Sequence, residues 1–262
     1  MHLNHLKATV ITVCFNAEKY IDGAIQSVLS QSYPNIEYII IDGASTDQTV
    51  TIIERYKKRI TKIVSGKDRG IYDAMNKGVR FATGDIIYFL NADDRFFDTN
   101  VVANIVKTFE EHKKASLVIG KVEPVHASAS FLSNKRVYQG KWSSKLRLLI
   151  DGLCHQRVFA KIDLFRKLGF FDLKLRYAAD FDWLLRAYNA KEKFVHTNFS
   201  VAFFDVRGFS SRDWQGAISD IVHAVYRNAG FFEFFMYFVY VSSRKIMRAI
   251  HILLQRQEKS ES

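Results

Sequence analysis

Apolar residues run almost unbroken through Ala8–Phe15 (ATVITVCF), Ile36–Ile41, Ile60–Val64, Asp85–Leu90 and Ser116–Ile119, the pattern of strands covered on both faces. Between these runs the spacing turns helical. Ala17–Ser30 places Ile21, Ala24, Ile25, Val28 and Leu29 on one stripe, and Thr46 or Asp47 can cap a helix running through Lys58. This alternation predicts an α/β fold, a mainly parallel sheet flanked by helices, with ligands bound at the carboxyl ends of the strands.

Polar loops fall at those ends. Asn16–Glu18 follows the first strand, Asp42–Asp47 the second, Gly66–Gly70 the third and Asn91–Asp94 the fourth. Any one of them is ordinary turn chemistry, because Asn, Asp, Ser and Gly are the usual loop residues. Four at one edge point to a binding site. No GxGxxG or Walker-type loop follows the first strand, so a dinucleotide or P-loop site has no motif support. Asp93 and Asp94 adjoin at the end of an apolar strand, where two carboxylates repel each other without a positive partner. Mg2+ or Mn2+ meets that need, since it takes carboxylate oxygens and substrate phosphate oxygens together. A helix cap explains Asp98 better than it explains this pair.

The segments VITVCFNAEKYIDGAIQSVLSQSYPNIEYIIIDGASTDQT and DRGIYDAMNKGVRFATGDIIYFLNADD resemble the GT-A glycosyltransferase family 2, and the likeness resumes at Cys154–Gln156 and Ala178–Trp183. The resemblance implies a GT-A fold and a metal-dependent, inverting transfer of a sugar from a nucleotide-sugar, a UDP-sugar, to a glycan or lipid-linked acceptor in surface polysaccharide assembly. It implies donor contacts at Val13, Phe15, Asn16, Glu18, Asp42, Asp68, Arg69, Asn76, Asn91 and Asp93, with Asp93 and Asp94 at Mn2+ or Mg2+. Many members carry paired acids after the second strand; Asp42-Gly43 leaves one carboxylate to meet the base. Arg69 is either anchored by Asp73 or meets phosphate.

Asp180 corresponds to the family's catalytic base, which takes the acceptor's proton during attack on the anomeric carbon. Ala179 stands where the family usually has Glu. Asp180 can equally cap the helix it opens, and Asp182 either serves in its place or pairs with Arg186. His155 and Gln156 match positions on the acceptor and sugar side, although a lone His is more often structural. The alternative is a non-catalytic, nucleotide-binding scaffold on a degenerate GT-A fold, against which the intact Asp93, Asp94 and Asp180 argue.

Composition narrows the classes. The 262 residues are 48% hydrophobic with two prolines, which excludes a disordered or low-complexity chain. A formal charge of +11 favours anionic ligands, yet no nucleic-acid motif is present and no nucleic-acid partner is expected. Nine basic and three acidic residues between Gly140 and Arg176, with the Arg207–Arg212 loop, are expected to line the acceptor side. Cys14 and Cys154 read as reduced core thiols. Met1–Lys7 lacks a signal-peptide core and no run reaches about 18 apolar residues, so the expected location is cytoplasmic, at the inner face of the membrane. Residues 1–228 are expected to form the catalytic domain and 229–262 a helical extension. In the extension an aromatic run, Phe231–Val241, precedes an apolar stripe flanked by Arg244, Lys245, Arg248 and Arg256. Such a segment suits either a membrane interface or a hairpin against protein, and lipid-linked acceptors favour the membrane.

Overall fold

The computed structural model describes residues 6–126, 141, 144–206 and 213–240. Its sheet begins with β1 (Ala8–Cys14), β2 (Ile36–Asp42), β3 (Lys62–Ser65) and β4 (Ile86–Phe89), and it continues with β5 (Arg95–Phe96), β6 (Leu117–Val125), β7 (Val158–Lys161) and β8 (Phe194–Asp205). The spatial order is β3-β2-β1-β4-β7-β6-β8-β5. Strands β3 to β4 of that order are parallel, whereas β7 enters antiparallel to both β4 and β6. The half that carries the four polar loops is therefore the parallel half.

The unbroken apolar runs have a direct cause. On β1, Val10 and Cys14 join one core and Ile11 and Val13 the other; on β2, Tyr38 and Ile40 oppose Ile39 and Ile41. Each strand fills two cores by alternation. Helices α1 (Ile21–Leu29), α2 (Thr49–Arg55) and α4 (Val101–Glu111) close one face. On the other lie α3 (Ile71–Phe81), α5 (Lys145–Asp151), α6 (Asp163–Leu168), α7 (Ala179–Asn189) and α8 (Trp214–Asn228). At Gly78 of α3 an added Cβ would lie 2.6 Å from Ile11 Cγ2, so only glycine lets α3 sit this close to β1. That closeness fixes the start of α3 beside the site.

Some elements are shorter than the sequence predicts. Helix α1 opens at Ile21 instead of Ala17 because the preceding amides are used elsewhere: Ala17 N donates to Thr49 Oγ1 (2.7 Å) and Glu18 N to Asp47 Oδ2 (3.1 Å). Beyond Asn228 the chain does not leave the body at once. Residues 231–240 are helical, with Tyr237 buried and Phe234 against the core, while Lys145 Nζ binds both Glu233 Oε2 (2.8 Å) and Asn228 O (2.7 Å). The Arg207–Arg212 loop and the basic stripe from Arg244 to Arg256 lie outside the described residues.

Three residues of the basic segment expected on the acceptor side lie in two separate places. Arg157 is buried and donates from Nε to Gly120 O (2.8 Å). Lys161 and Arg166 line a cleft with Thr83 and Asp85, at the end of β4 opposite the Asn91–Asp94 loop. The cause is the reversed direction of β7, which carries its last residue away from the site.

Candidate functional site

The loops after β1 and β2 are tied into one unit. Asn16 and Ala44 both adopt left-handed backbone, φ +49° and +66°, a conformation that asparagine tolerates and alanine seldom takes. Bonds across the loops maintain it: Asn16 N to Ser45 Oγ (2.8 Å), Thr46 N to Asn16 Oδ1 (2.9 Å) and Gln48 N to Glu18 Oε2 (3.0 Å). Beneath them Asp42 is fully buried and accepts from Ser45 Oγ and Ser65 Oγ, each at 2.5 Å, and from Ser45 N. It organises the loop floor from below, and buried Val13 belongs to the same floor.

Phe15, 62% exposed, presents its ring at the loop surface. A Cβ on Gly43 would stand 2.7 Å from Asp68 Oδ2 and 3.4 Å from Phe15 Cδ2. The Asp68 carboxylate thus lies over Gly43, in the space that a second acid would claim. Its other oxygen accepts from Gly70 N (2.9 Å). Arg69 takes the anchored alternative: Asp73 accepts from its backbone N–H at 3.0 Å and lies 3.6 Å from its guanidinium. Burial would raise the Asp73 carboxyl, but the Arg69 backbone bond and the charges of Lys77 and Arg69 hold it below the usual range.

A second group gathers at the end of β4. Asp94 is 1% exposed and sits between β4 and β5, accepting from Gln156 Nε2 (3.1 Å) and Asp205 N (3.3 Å). Burial, then the neighbouring Asp93 charge, pushes its carboxyl well above the usual range. Asp205, at the end of β8, is also buried and meets His126 Nδ1 at 3.3 Å. Among the described residues no three acidic, Cys or His side chains converge closely enough to hold an ion alone.

One short 3-10 turn, His155–Arg157, joins this group to a third. Gln156 faces Asp94, with its carbonyl held by Tyr88 OH (2.7 Å). His155 Nδ1 lies 3.0 Å from Asp180 Oδ2, and its Nε2 lies 3.3 Å from Asn91 Oδ1. Asp180, in the first turn of α7, also accepts from Tyr72 OH (2.8 Å) and Phe181 N (2.9 Å). Burial would raise its carboxyl, but the bonds from His155 and Tyr72 prevail and hold it below the usual range. Ionised Asp180 and the buried Asp94 are therefore linked through two consecutive residues.

Two sequence candidates do not join these groups. Asp182, 1% exposed, points to Arg186 Nε (2.9 Å) and Asn228 Nδ2 (2.9 Å) and fastens α7 to α8. The Arg186 alternative thus holds, because a buried carboxylate needs a paired charge. Asn76 is buried too; it donates to Phe171 O (2.9 Å) and accepts from Phe171 N (3.0 Å), satisfying a loop backbone instead of facing the cleft. Conversely, Tyr72, Asp205 and Ser45 were not singled out from sequence. Tyr72 lies inside the quoted DRGIYDAMN segment and Asp205 ends an apolar run, the signal that drew attention to Asp93 and Asp94.

Comparison with known proteins identifies the family and the fold. The model of the glycosyl transferase family 2 matches residues 9–161. A PGL/p-HBAD biosynthesis glycosyltransferase of Mycobacterium bovis is 29% identical over 184 residues, 69% of each chain. The putative teichuronic acid biosynthesis glycosyltransferase TuaG of Bacillus subtilis is 40% identical over 91 residues, 34% of this chain and 36% of its own. Among solved structures, S. aureus TarS 1–349 in complex with UDP superposes with a TM-score of 0.68 at 20% identity, over 84% of this chain and 65% of that one. The mannosyltransferase PcManGT from Pyrobaculum calidifontis, in complex with GDP-Man and Mn2+, gives 0.69 at 20% identity over 87% and 66%. These two share the fold, and the matched family model covers more than half of the sequence: the chain belongs to glycosyl transferase family 2.

Proposed function

We propose that the protein is an inverting, metal-dependent glycosyltransferase that moves a sugar from a nucleotide-sugar, a UDP-sugar, to a glycan or lipid-linked acceptor of surface polysaccharide. The observation that carries this reading is the turn His155–Arg157, which ties the ionised Asp180 to Asp94 at the carboxyl ends of the parallel strands. Displacement at an anomeric carbon needs a proton acceptor on one side and charge neutralisation of a leaving diphosphate on the other. Phe15 and Asp68 over Gly43 form an aromatic face beside an acceptor of N–H bonds, suited to a nucleobase. The UDP complex of TarS and the GDP-Man complex of PcManGT are consistent with that use of the fold.

The residues at the β4 end fit a divalent cation by their oxygen donors: the adjacent carboxylates of Asp93 and Asp94, with the buried Asp205 held beside them through its N–H to Asp94 Oδ1. Asp94 and Asp93 would hold Mn2+ or Mg2+, with donor phosphate oxygens completing the coordination. When bound, the cation supplies neutralisation of the departing diphosphate. The expected result is nucleoside diphosphate release with Mg2+ or Mn2+ from one member of a panel of UDP-, GDP- and dTDP-sugars. Donor binding without turnover on any acceptor preparation would favour the scaffold alternative.

We also propose peripheral membrane contact. Phe231, Phe232, Phe235 and Phe238 are 54–89% exposed while Phe234 and Tyr237 turn inward, and the chain that follows carries Arg244, Lys245, Arg248 and Arg256. An anionic lipid surface matches both the aromatic face and the charge. Replacing Phe231, Phe235 and Phe238 together by Ser should release the protein from anionic vesicles at low salt while activity on a soluble acceptor persists. Unchanged sedimentation with vesicles, or failure of the unaltered chain to bind them, would overturn the membrane contact.

A further inference from the structure

Asp180 lies in the first turn of α7, where its own helix offers the carboxylate only the Phe181 N–H, accepted by Oδ1 at 2.9 Å. With that bond alone the side chain would be free to turn toward the helix end, the usual use of an acid in a first turn. A second donor reaches the same oxygen from another element. Tyr72, in the first turn of α3, brings its hydroxyl to Asp180 Oδ1 at 2.8 Å and to Tyr177 O at 3.1 Å. An ionised carboxylate only accepts, with about two sites on each oxygen. Tyr72 and Phe181 occupy those of Oδ1, and His155 Nδ1 lies at 3.0 Å on Oδ2. The remaining site is on Oδ2.

We propose that Tyr72 is the positioning residue of the catalytic base: its hydroxyl turns Asp180 so that the open site on Oδ2 meets the acceptor hydroxyl. The inference rests on the glycosyltransferase reading, with Asp180 as the base. In that step the acceptor's proton passes to Oδ2 as its oxygen bonds to the anomeric carbon. The bond from that carbon to the phosphate oxygen breaks, and the nucleoside diphosphate leaves with the electron pair. Tyr72 transfers nothing.

Tyr72 can hold a direction because it is itself held. It is buried, its ring is 5.5 Å from that of Phe171, and α3 is seated on β1 through Gly78. Its second acceptor belongs to a residue tied to α8. Tyr177 donates its N–H to Asp220 Oδ2 (2.7 Å) and its hydroxyl to Asp213 Oδ2 (2.8 Å), and a Cβ on Gly216 would lie 2.7 Å from Tyr177 Cε2. One hydroxyl thus joins α3, α7 and the segment that α8 secures. Burial, then the charge of Asp180, push the Tyr72 phenol well above its usual value, so it stays a donor wherever Asp180 is ionised. The other titratable groups around this junction are His155, Asp220 on α8, and Cys154, whose thiol is pushed up to about 12 chiefly by burial.

Tyr72→Phe keeps the ring against Phe171 and removes only the donor. A hydrogen bond to the charged form favours that form, so its loss raises the Asp180 carboxyl. The acidic limb of the kcat profile, along which activity falls as Asp180 takes a proton, should therefore move to higher pH. On the plateau above it kcat should fall about 10–100-fold, the range for losing a hydrogen bond to a charged group. Donor KM and calorimetric donor binding with Mn2+ should stay within about threefold. Tyr177→Phe loosens the same junction at Asp213 without taking a donor from Asp180, and should leave the limb in place. Replacing Tyr72 by 3-fluorotyrosine, a more acidic phenol and a stronger donor, should move the limb to lower pH, and this decides the matter if Tyr72→Phe does not fold. The proposal is overturned by a limb that stays in place in the Tyr72 variants, by one that moves equally in Tyr177→Phe, or by a plateau kcat of Tyr72→Phe within about twofold of the unaltered enzyme. If the unaltered enzyme turns over no nucleotide-sugar, the glycosyltransferase reading falls and this inference with it, an outcome distinct from an active enzyme whose limb does not move.

Discussion

Asp180→Asn is expected to fold and to bind donor and divalent cation normally, yet to turn over about 10²–10⁴-fold more slowly. The amide preserves the shape of the side chain, and its oxygen still accepts from Tyr72 OH and Phe181 N. What changes is the other terminus, where an N–H₂ now faces His155 Nδ1 in place of a carboxylate oxygen. An amide at that place cannot take the acceptor's proton as the carboxylate can. Loss of a positioned general base costs about 10²–10⁴-fold in rate. Single-turnover kinetics with calorimetric donor binding would check the result. An active Asp180→Asn beside a dead Asp182→Asn would reverse the assignment, an outcome the Arg186 and Asn228 partners of Asp182 oppose.

The sheet's parallel half and its loop edge are legible in sequence because strands buried on both faces must be apolar throughout, as β1 and β2 are. The return through β7 is not legible, since VFAK has the same local pattern whichever way it runs. That reversal carries Lys161 and Arg166 to the end of β4 opposite the Asn91–Asp94 loop, whereas Arg157 stays in the turn beside the site and is buried. Within the site, carboxylates can be found as residues but not their directions. Asp42 and Asp182 have the composition of site residues and the surroundings of structural ones, and Asn76 clips the Phe171 backbone, a bond between residues 95 positions apart. The filled space over Gly43 shows the converse case. A missing acid in the sequence reads as a loss, whereas the fold brings the Asp68 carboxylate over it from a different loop.

Asp94→Ala should lower metal-supported transfer by about 10³-fold, and Asp93→Ala by less. Asp94 is the more buried of the two and the one fixed from three sides, by its own backbone turn to Asn91 O (3.1 Å), by Gln156 and by the Asp205 N–H. A carboxylate so held gives a cation a fixed position relative to a donor diphosphate, and Lewis-acid neutralisation of that group supplies several kcal/mol to the transition state, about three orders of magnitude in rate. The effect on folding should be small. Truncation leaves the Gln156 and Asp205 donors without this acceptor, which costs stability, but it also removes a buried acid crowded by Asp93, which offsets that cost. Thermal unfolding without metal should therefore shift by only a few degrees, whereas the added stabilisation by Mn2+ with UDP, clear in the unaltered protein, should be absent. Equal stabilisation by Mn2+ in both proteins, or undiminished transfer by Asp94→Ala in EDTA, would remove the cation from this loop. In that case the Asp94 to Gln156 bond would be left as a strut that sets the position of His155.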